Sequence, residues 1–204
     1  MNHPEKDRNV FSRPLIIGAS ISAGYGTRDG GPGAVFARLI NPEAKITNLA
    51  YNGATSVAST AALDVSAHSP TVLLGLDLFF WDAVLGQTGS RFEASTKKFF
   101  DQLRDRDLPA ILGKVPVFDF PFGIRAEVIG QHVRKVNALL EEHAERAKKV
   151  LLYDPLSCLL KMDGSDHFSD GLHLTRKGNE FCAQFLLEDG GYRKLSGVQE
   201  LDVA

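Results

Sequence analysis

LIIGASISAGYG, residues 15–26, begins as an apolar run and breaks off in a turn of small residues that carries two hydroxyls, Ser20 and Ser22. A short apolar run ending at glycine reads as a strand buried on both faces, and the serine beyond it stands where a parallel sheet presents side chains at its edge. The same pattern recurs along the chain. Strands are predicted over residues 14–18, 45–49, 71–76, 110–118 and 150–153, and helices over 34–40, 56–67, 91–106, 126–148 and 175–187. The clearest helix is HVRKVNALLEEHAERAKKV. Its Val133, Val136, Leu139, Leu140 and Ala144 fall three or four apart, while Arg134, Lys135, Glu141, Glu142 and Arg146 occupy the other face.

Five apolar strands, each followed by a helix, predict an α/β fold: a three-layer α/β/α sandwich around a five-stranded parallel sheet. The 204 residues fit one domain, 1–204, with its core over about 14–187 and a tail from Gly190 that is expected to fray. With 44% hydrophobic and 24% charged residues, neither a disordered nor a fibrous chain is indicated. A formal charge of -2 offers no basic field to nucleic acid or anionic lipid. Cys158 and Cys182 form no CxxC pair, so no zinc site, metal, cofactor or disulfide framework is expected. The opening MNHPEKDRNVFSRP lacks the ~7–15-residue apolar core of a secretion signal, and no stretch reaches the ~18 apolar residues of a membrane span. A cytoplasmic location is expected, with a removed signal peptide left open.

In such sheets ligands bind in the crevice beyond the carboxyl ends of the strands, here residues 19–22, 50–53, 77–82, 119–122 and 154–173. A serine there is a weak nucleophile until a histidine takes its proton and an acid orients that histidine. Of six histidines, those at 3, 68, 132 and 143 read as solvated, and His167 takes an equally bland reading with a mobile gate or substitute base as the lesser alternative. His173 differs, because it lies in SDGLHLTRKGNE with Asp170 three residues before it, the chain's one Asp-x-x-His. One short loop can then carry acid and base, with the second ring nitrogen facing Ser20. The same residues also suit a turn, and Thr175 an N-cap, so this spacing alone leaves both readings open. Ser22 reads as a turn hydroxyl.

Gly18-Ala19-Ser20-Ile21-Ser22, Asn52-Gly53, Gly75-Leu76-Asp77 and Asp170-Gly171-Leu172-His173, in that order on successive strand ends, resemble the four sequence blocks of the SGNH (GDSL-type) hydrolase superfamily. The resemblance implies a flavodoxin-like sheet and hydrolysis of a carboxylic ester or thioester of a small-molecule substrate through an acyl-enzyme. It implies Ser20 as nucleophile, His173 as base and then acid, Asp170 as its partner, and an oxyanion hole from the N–H groups of Ser20 and Gly53 and the side chain at 77. Phe79, Trp81 and Phe120, with Phe80, Phe118 and Phe122 nearby, are candidates to line a substrate pocket.

Two positions depart from the family pattern. Ala19 stands where the family has an aspartate that helps organise the turn, and Asp77 stands where it has asparagine. An ionised carboxylate accepts hydrogen bonds and cannot donate one to an oxyanion. Three resolutions stand side by side: Asp77 is protonated by burial and donates, it points elsewhere, or the site is degenerate. The first predicts a raised pKa and an Asp77→Asn variant that keeps or gains activity. Asp82 and Asp119 read as turn or solvated residues.

Rival readings are a non-catalytic scaffold that kept the fold, favoured by Ala19 and Asp77, and an acyltransferase sharing the same acyl-enzyme. A phosphate-cradling loop in GYGTRDGGPG fails, because Asp29 stands where the dinucleotide motif needs glycine and no Gly-Lys-Ser/Thr occurs.

Overall fold

The order of strands in the parallel sheet is β2-β1-β3-β4-β5, with β1 at Pro14–Ile16, β2 at Thr47–Asn48, β3 at Val72–Gly75, β4 at Ala110–Gly113 and β5 at Val150–Tyr153. The computed structural model describes residues 4–64, 69–117, 125–162 and 164–196. Successive residues of a strand face opposite sides, so each strand feeds two cores. Leu15, Leu73, Ala110 and Leu112 face one, with Phe79, Phe99, Val133, Val136 and Leu140 from the helices that cover it. Ile16, Val72, Leu74 and Ile111 face the other, with Phe36, Ile40, Ala183 and Leu186. Each fully buried side chain of this size contributes about 1.5–3 kcal/mol, so both faces of the sheet must be covered for it to hold.

On the second face lie α1 (Glu5–Val10), α3 (Gly31–Ile40) and α10 (Arg176–Asp189). The first carries α5 (Phe80–Val84), α6 (Ser90–Asp105) and α7 (Ala126–Glu145), and α4 (Ser56–Asp64) sits beside α6. Short α2 (Ser20–Ala23), α8 (Leu156–Leu159) and α9 (Gly164–His167) occupy connections at the carboxyl edge.

The long helices end within three residues of their predicted limits where they are described. Helix α3 starts three residues earlier than its apolar pattern, because Gly30 and Gly31 adopt positive φ and Pro32 follows as a pre-set first turn. Thr175 is the N-cap of α10, its hydroxyl accepting the Gly178 N–H at 3.1 Å. Strand β4 stops at Gly113 and not at 118. Beyond it the Val115 N–H and C=O both pair with the side chain of Asn137 on α7, at 2.9 Å each, in place of a neighbouring strand.

Two described segments near the ends of the chain fold onto the core. The polar opening forms α1, and residues 191–196, expected to fray, form a 3-10 turn with Tyr192 and Leu195 buried. Phe11, Phe36 and Tyr192 meet edge to face at 5.4–6.0 Å, and the Ser196 hydroxyl donates to the buried Asp7 carboxyl. Among the described residues no helix is long and apolar enough to cross a membrane.

Candidate active site

The strand order reverses direction between β1 and β3, which opens a crevice at their carboxyl ends. Chain leaving β1 passes Gly18, whose φ of 146° no side-chain-bearing residue adopts comfortably, and enters α2 with Ser20 as its first residue. Gly24 closes that turn in the left-handed conformation, and the Tyr25 N–H bonds back to the Ser20 carbonyl at 2.9 Å. Gly53 turns at φ 71° after β2, on the same edge, where the Tyr51 N–H reaches the Gly18 carbonyl.

Asp77, one residue beyond Leu76 at the end of β3, turns into this loop. Its Oδ1 accepts the Ala19 N–H at 2.9 Å, and its Oδ2 accepts those of Ile21 at 2.9 Å and Ser22 at 3.3 Å. Burial pushes its pKa up, and the Ser22 side chain and the backbone amides of Ala19, Ser22 and Ile21 pull the other way. The raised pKa agrees with expectation, but the assignment of this side chain to the oxyanion hole does not fit. A carboxyl whose two oxygens are both engaged by amides is an acceptor aimed at the backbone.

Asp170 and His173 occupy the loop between α9 and α10. The loop is pinched by a bridge between Phe168 and Leu174 and by the Ser169 N–H donating to the His173 carbonyl at 2.8 Å. Asp170 makes both kinds of contact its spacing suggested. Its Oδ1 accepts the N–H groups of Leu172 (3.1 Å) and His173 (2.8 Å), which builds the turn, and its Oδ2 lies 2.6 Å from His173 Nδ1. The His173 hydrogen bonds hold the Asp170 carboxyl down at about 2. His167 is buried edge-on to Phe181 and its carbonyl accepts the Thr175 N–H, which anchors the base of the loop.

The two loops meet through Tyr25, whose ring centroid lies 4.4 Å from that of the His173 imidazole. They also share a wall: an apolar cavity of about 70 Å³ is lined by Ile21, Leu76, Phe80, Val115, Leu172 and Leu174, with Asp77 at its side. Of the aromatic candidates, Phe79 is fully buried between Phe92 and Phe99 in the core and is not a lining residue. Trp81 packs edge-on against Phe80 beside that core, and Phe80 is the one that reaches the cavity. Phe118, Asp119, Phe120 and Phe122 lie outside the described residues.

The glycine-rich stretch has a structural purpose. A Cβ on Gly24 would come within 2.5 Å of the Gly31 nitrogen, so two backbone segments cross where side chains have no room. Asp29 Oδ1 accepts from Thr27 Oγ1 (2.7 Å), the Gly31 N–H (3.2 Å) and Asn179 Nδ2 (2.9 Å), tying this loop to α10. Tyr25 and Asn179 were not singled out from the sequence. Exposed tyrosines and helical asparagines are common, and only the fold brings these two to the site.

Asp82 is fully buried, not solvated; its Oδ2 accepts the Ser56 N–H at 2.8 Å at the start of α4, and burial raises its pKa. A carboxyl raised in the folded state binds its proton more tightly there than in the unfolded chain, so its contribution to stability falls as pH rises from about 4 toward the folded pKa. Asp82→Asn keeps an acceptor for Ser56 and removes the ionisation. Its urea midpoint is expected to fall less than the wild type's between pH 4 and 7, and an equal or steeper fall would refute this account.

A five-stranded parallel sheet in this order, with a serine turn at its switch point and an Asp-His loop before the last helix, defines a protein of the SGNH hydrolase class. The chain belongs to the GDSL-like lipase/acylhydrolase family, whose model matches residues 16–181, and is by that membership an ester-hydrolysing enzyme. No curated protein sequence matches it significantly. Solved structures share the fold at low identity. The psychrotrophic esterase EstA from Pseudoalteromonas sp., inhibited by monoethylphosphonate, aligns with a TM-score of 0.62 at 17% identity over 87% of this chain and 95% of its own. A lipolytic protein of the G-D-S-L family from Veillonella parvula gives 0.66 at 21% over 86% and 96%. An acetyl xylan esterase from Geobacillus stearothermophilus gives 0.62 at 18% over 89% and 95%.

Proposed function

We propose that this enzyme cleaves carboxylic esters or thioesters of short acyl groups through an acyl-enzyme on Ser20. The observation that carries the reading is the 2.6 Å contact of Asp170 with His173, on a loop whose imidazole touches Tyr25, five residues from Ser20. Ser20 Oγ attacks the acyl carbon as His173 Nε2 takes its proton, and Asp170 steadies the imidazolium through Nδ1. The N–H groups of Ser20 and Gly53 receive the oxyanion, and with Asp77 turned to the backbone the hole is built from main chain alone. His173 then protonates the departing alcohol or thiol, and water repeats the sequence to free the acid.

The adjoining cavity supports a short acyl chain. At about 70 Å³ it has half the volume of the ~150 Å³ engineered cavity that admits benzene. Incubation with an alkyl fluorophosphonate is expected to add one phosphonyl group to the Ser20 peptide, read by mass spectrometry, and to stop hydrolysis of p-nitrophenyl acetate and butyrate. Turnover of the palmitate ester is expected to be at least tenfold slower than that of butyrate. Labelling elsewhere, with hydrolysis surviving, would remove Ser20 from the role.

A further inference from the structure

Asp77 is a half-buried carboxyl that the hydrolytic steps do not use, and its three backbone donors are arranged in a particular way. They are the amides of residues 19, 21 and 22, which straddle Ser20 and leave out the amide of Ser20 itself. We propose that Asp77 is a positioning residue: its carboxyl, gripping the amides on both sides of Ser20 from the end of β3, sets the turn that presents the nucleophile and keeps the Ser20 N–H available. This rests on the reading of Ser20 as the nucleophile.

The geometry favours a carboxyl over an amide. An asparagine offers one acceptor oxygen and one NH2 that only donates. In either rotamer the NH2 would face an N–H, that of Ala19 on one side or those of Ile21 and Ser22 on the other, so one or two of the three hydrogen bonds would be lost. Gly18 belongs to the same device, since a methyl group there would collide with Asp77 Oδ1 and with Ser22 Oγ. The turn has no acid of its own at Ala19, and the grip comes instead from the neighbouring strand. The clamp also ties the nucleophile to the rigid centre of the sheet, because β3 lies between β1 and β4.

A loosened turn shifts Ser20 by a fraction of an ångström to about 1 Å, enough to cost ~10²-fold in the chemical step while ground-state binding is little changed. Asp77→Asn is therefore expected to lower kcat ten- to a hundredfold and to leave KM for p-nitrophenyl butyrate within about twofold. The clamp is also read on the wild-type protein by amide hydrogen exchange in NMR spectra. The amides of Ala19, Ile21 and Ser22 are expected to exchange at least tenfold more slowly than that of Ser20, a measurement that holds even if the variant does not fold. An Asp77→Asn enzyme equal to or better than wild type, a change confined to KM, or four amides exchanging alike would overturn the proposal. Failure of the hydrolase reading is distinguishable, because it shows as absence of turnover and phosphonate labelling in the wild type, with the exchange pattern still deciding the clamp.

Discussion

Ser20→Ala is expected to lower kcat by about 10⁶-fold, His173→Ala to do nearly the same, and the double variant to be no worse than either alone. The non-additivity follows from shared work. A hydroxyl without a base does not ionise at neutral pH, and an imidazole without a hydroxyl has no proton to take. The fold should tolerate the change at 20, because the turn is held through backbone amides 19, 21 and 22 and the Ser20 carbonyl, none of which alanine alters. Steady-state rates with p-nitrophenyl butyrate and thermal melting of the three variants check this. A Ser20→Ala enzyme within tenfold of wild type would end the acyl-enzyme account.

Asp170→Asn is expected to lower kcat by about 10⁴-fold with the loop intact. The asparagine oxygen can still accept the N–H groups of Leu172 and His173, so the turn survives. The NH2 then meets Nδ1, forces the ring proton onto Nε2, and leaves no lone pair toward the serine. Acid stability separates the carboxyl's second effect. With a folded pKa of about 2 against an unfolded value near 3.9, Asp170 stabilises the protein fully above about pH 5 and loses that contribution as pH falls toward 2. The variant should show a shallower loss of stability between pH 5 and 2. Full activity in Asp170→Asn would show that the imidazole finds its orientation elsewhere.

Most of the sheet was legible because burial on both faces leaves an unbroken apolar signature, as in residues 72–75, and because α7 keeps its period for 20 residues. The chain ends were not. EKDRNV offers one apolar residue, and Asp7 is buried where the hydroxyl of Ser196 meets its Oδ1. At the site, Asp170 and His173 could be paired on paper since three residues separate them. The direction of Asp77 depended on which amides lie across the crevice, 55–58 positions away in the chain. Phe79, Phe80 and Trp81 show a further limit. Consecutive residues at a helix start point about 100° apart, and composition cannot say which one faces the cavity and which the core.

The hydrogen bond from Asn179 to Asp29 spans 150 positions, joining the final helix to the loop that follows Ser20. A nascent polypeptide in which that helix is still inside the ribosome has neither the imidazole in place nor the strut that braces the serine segment. On the proposed mechanism, a fragment ending at residue 160 is therefore expected to be inert although it contains all five strands of the sheet.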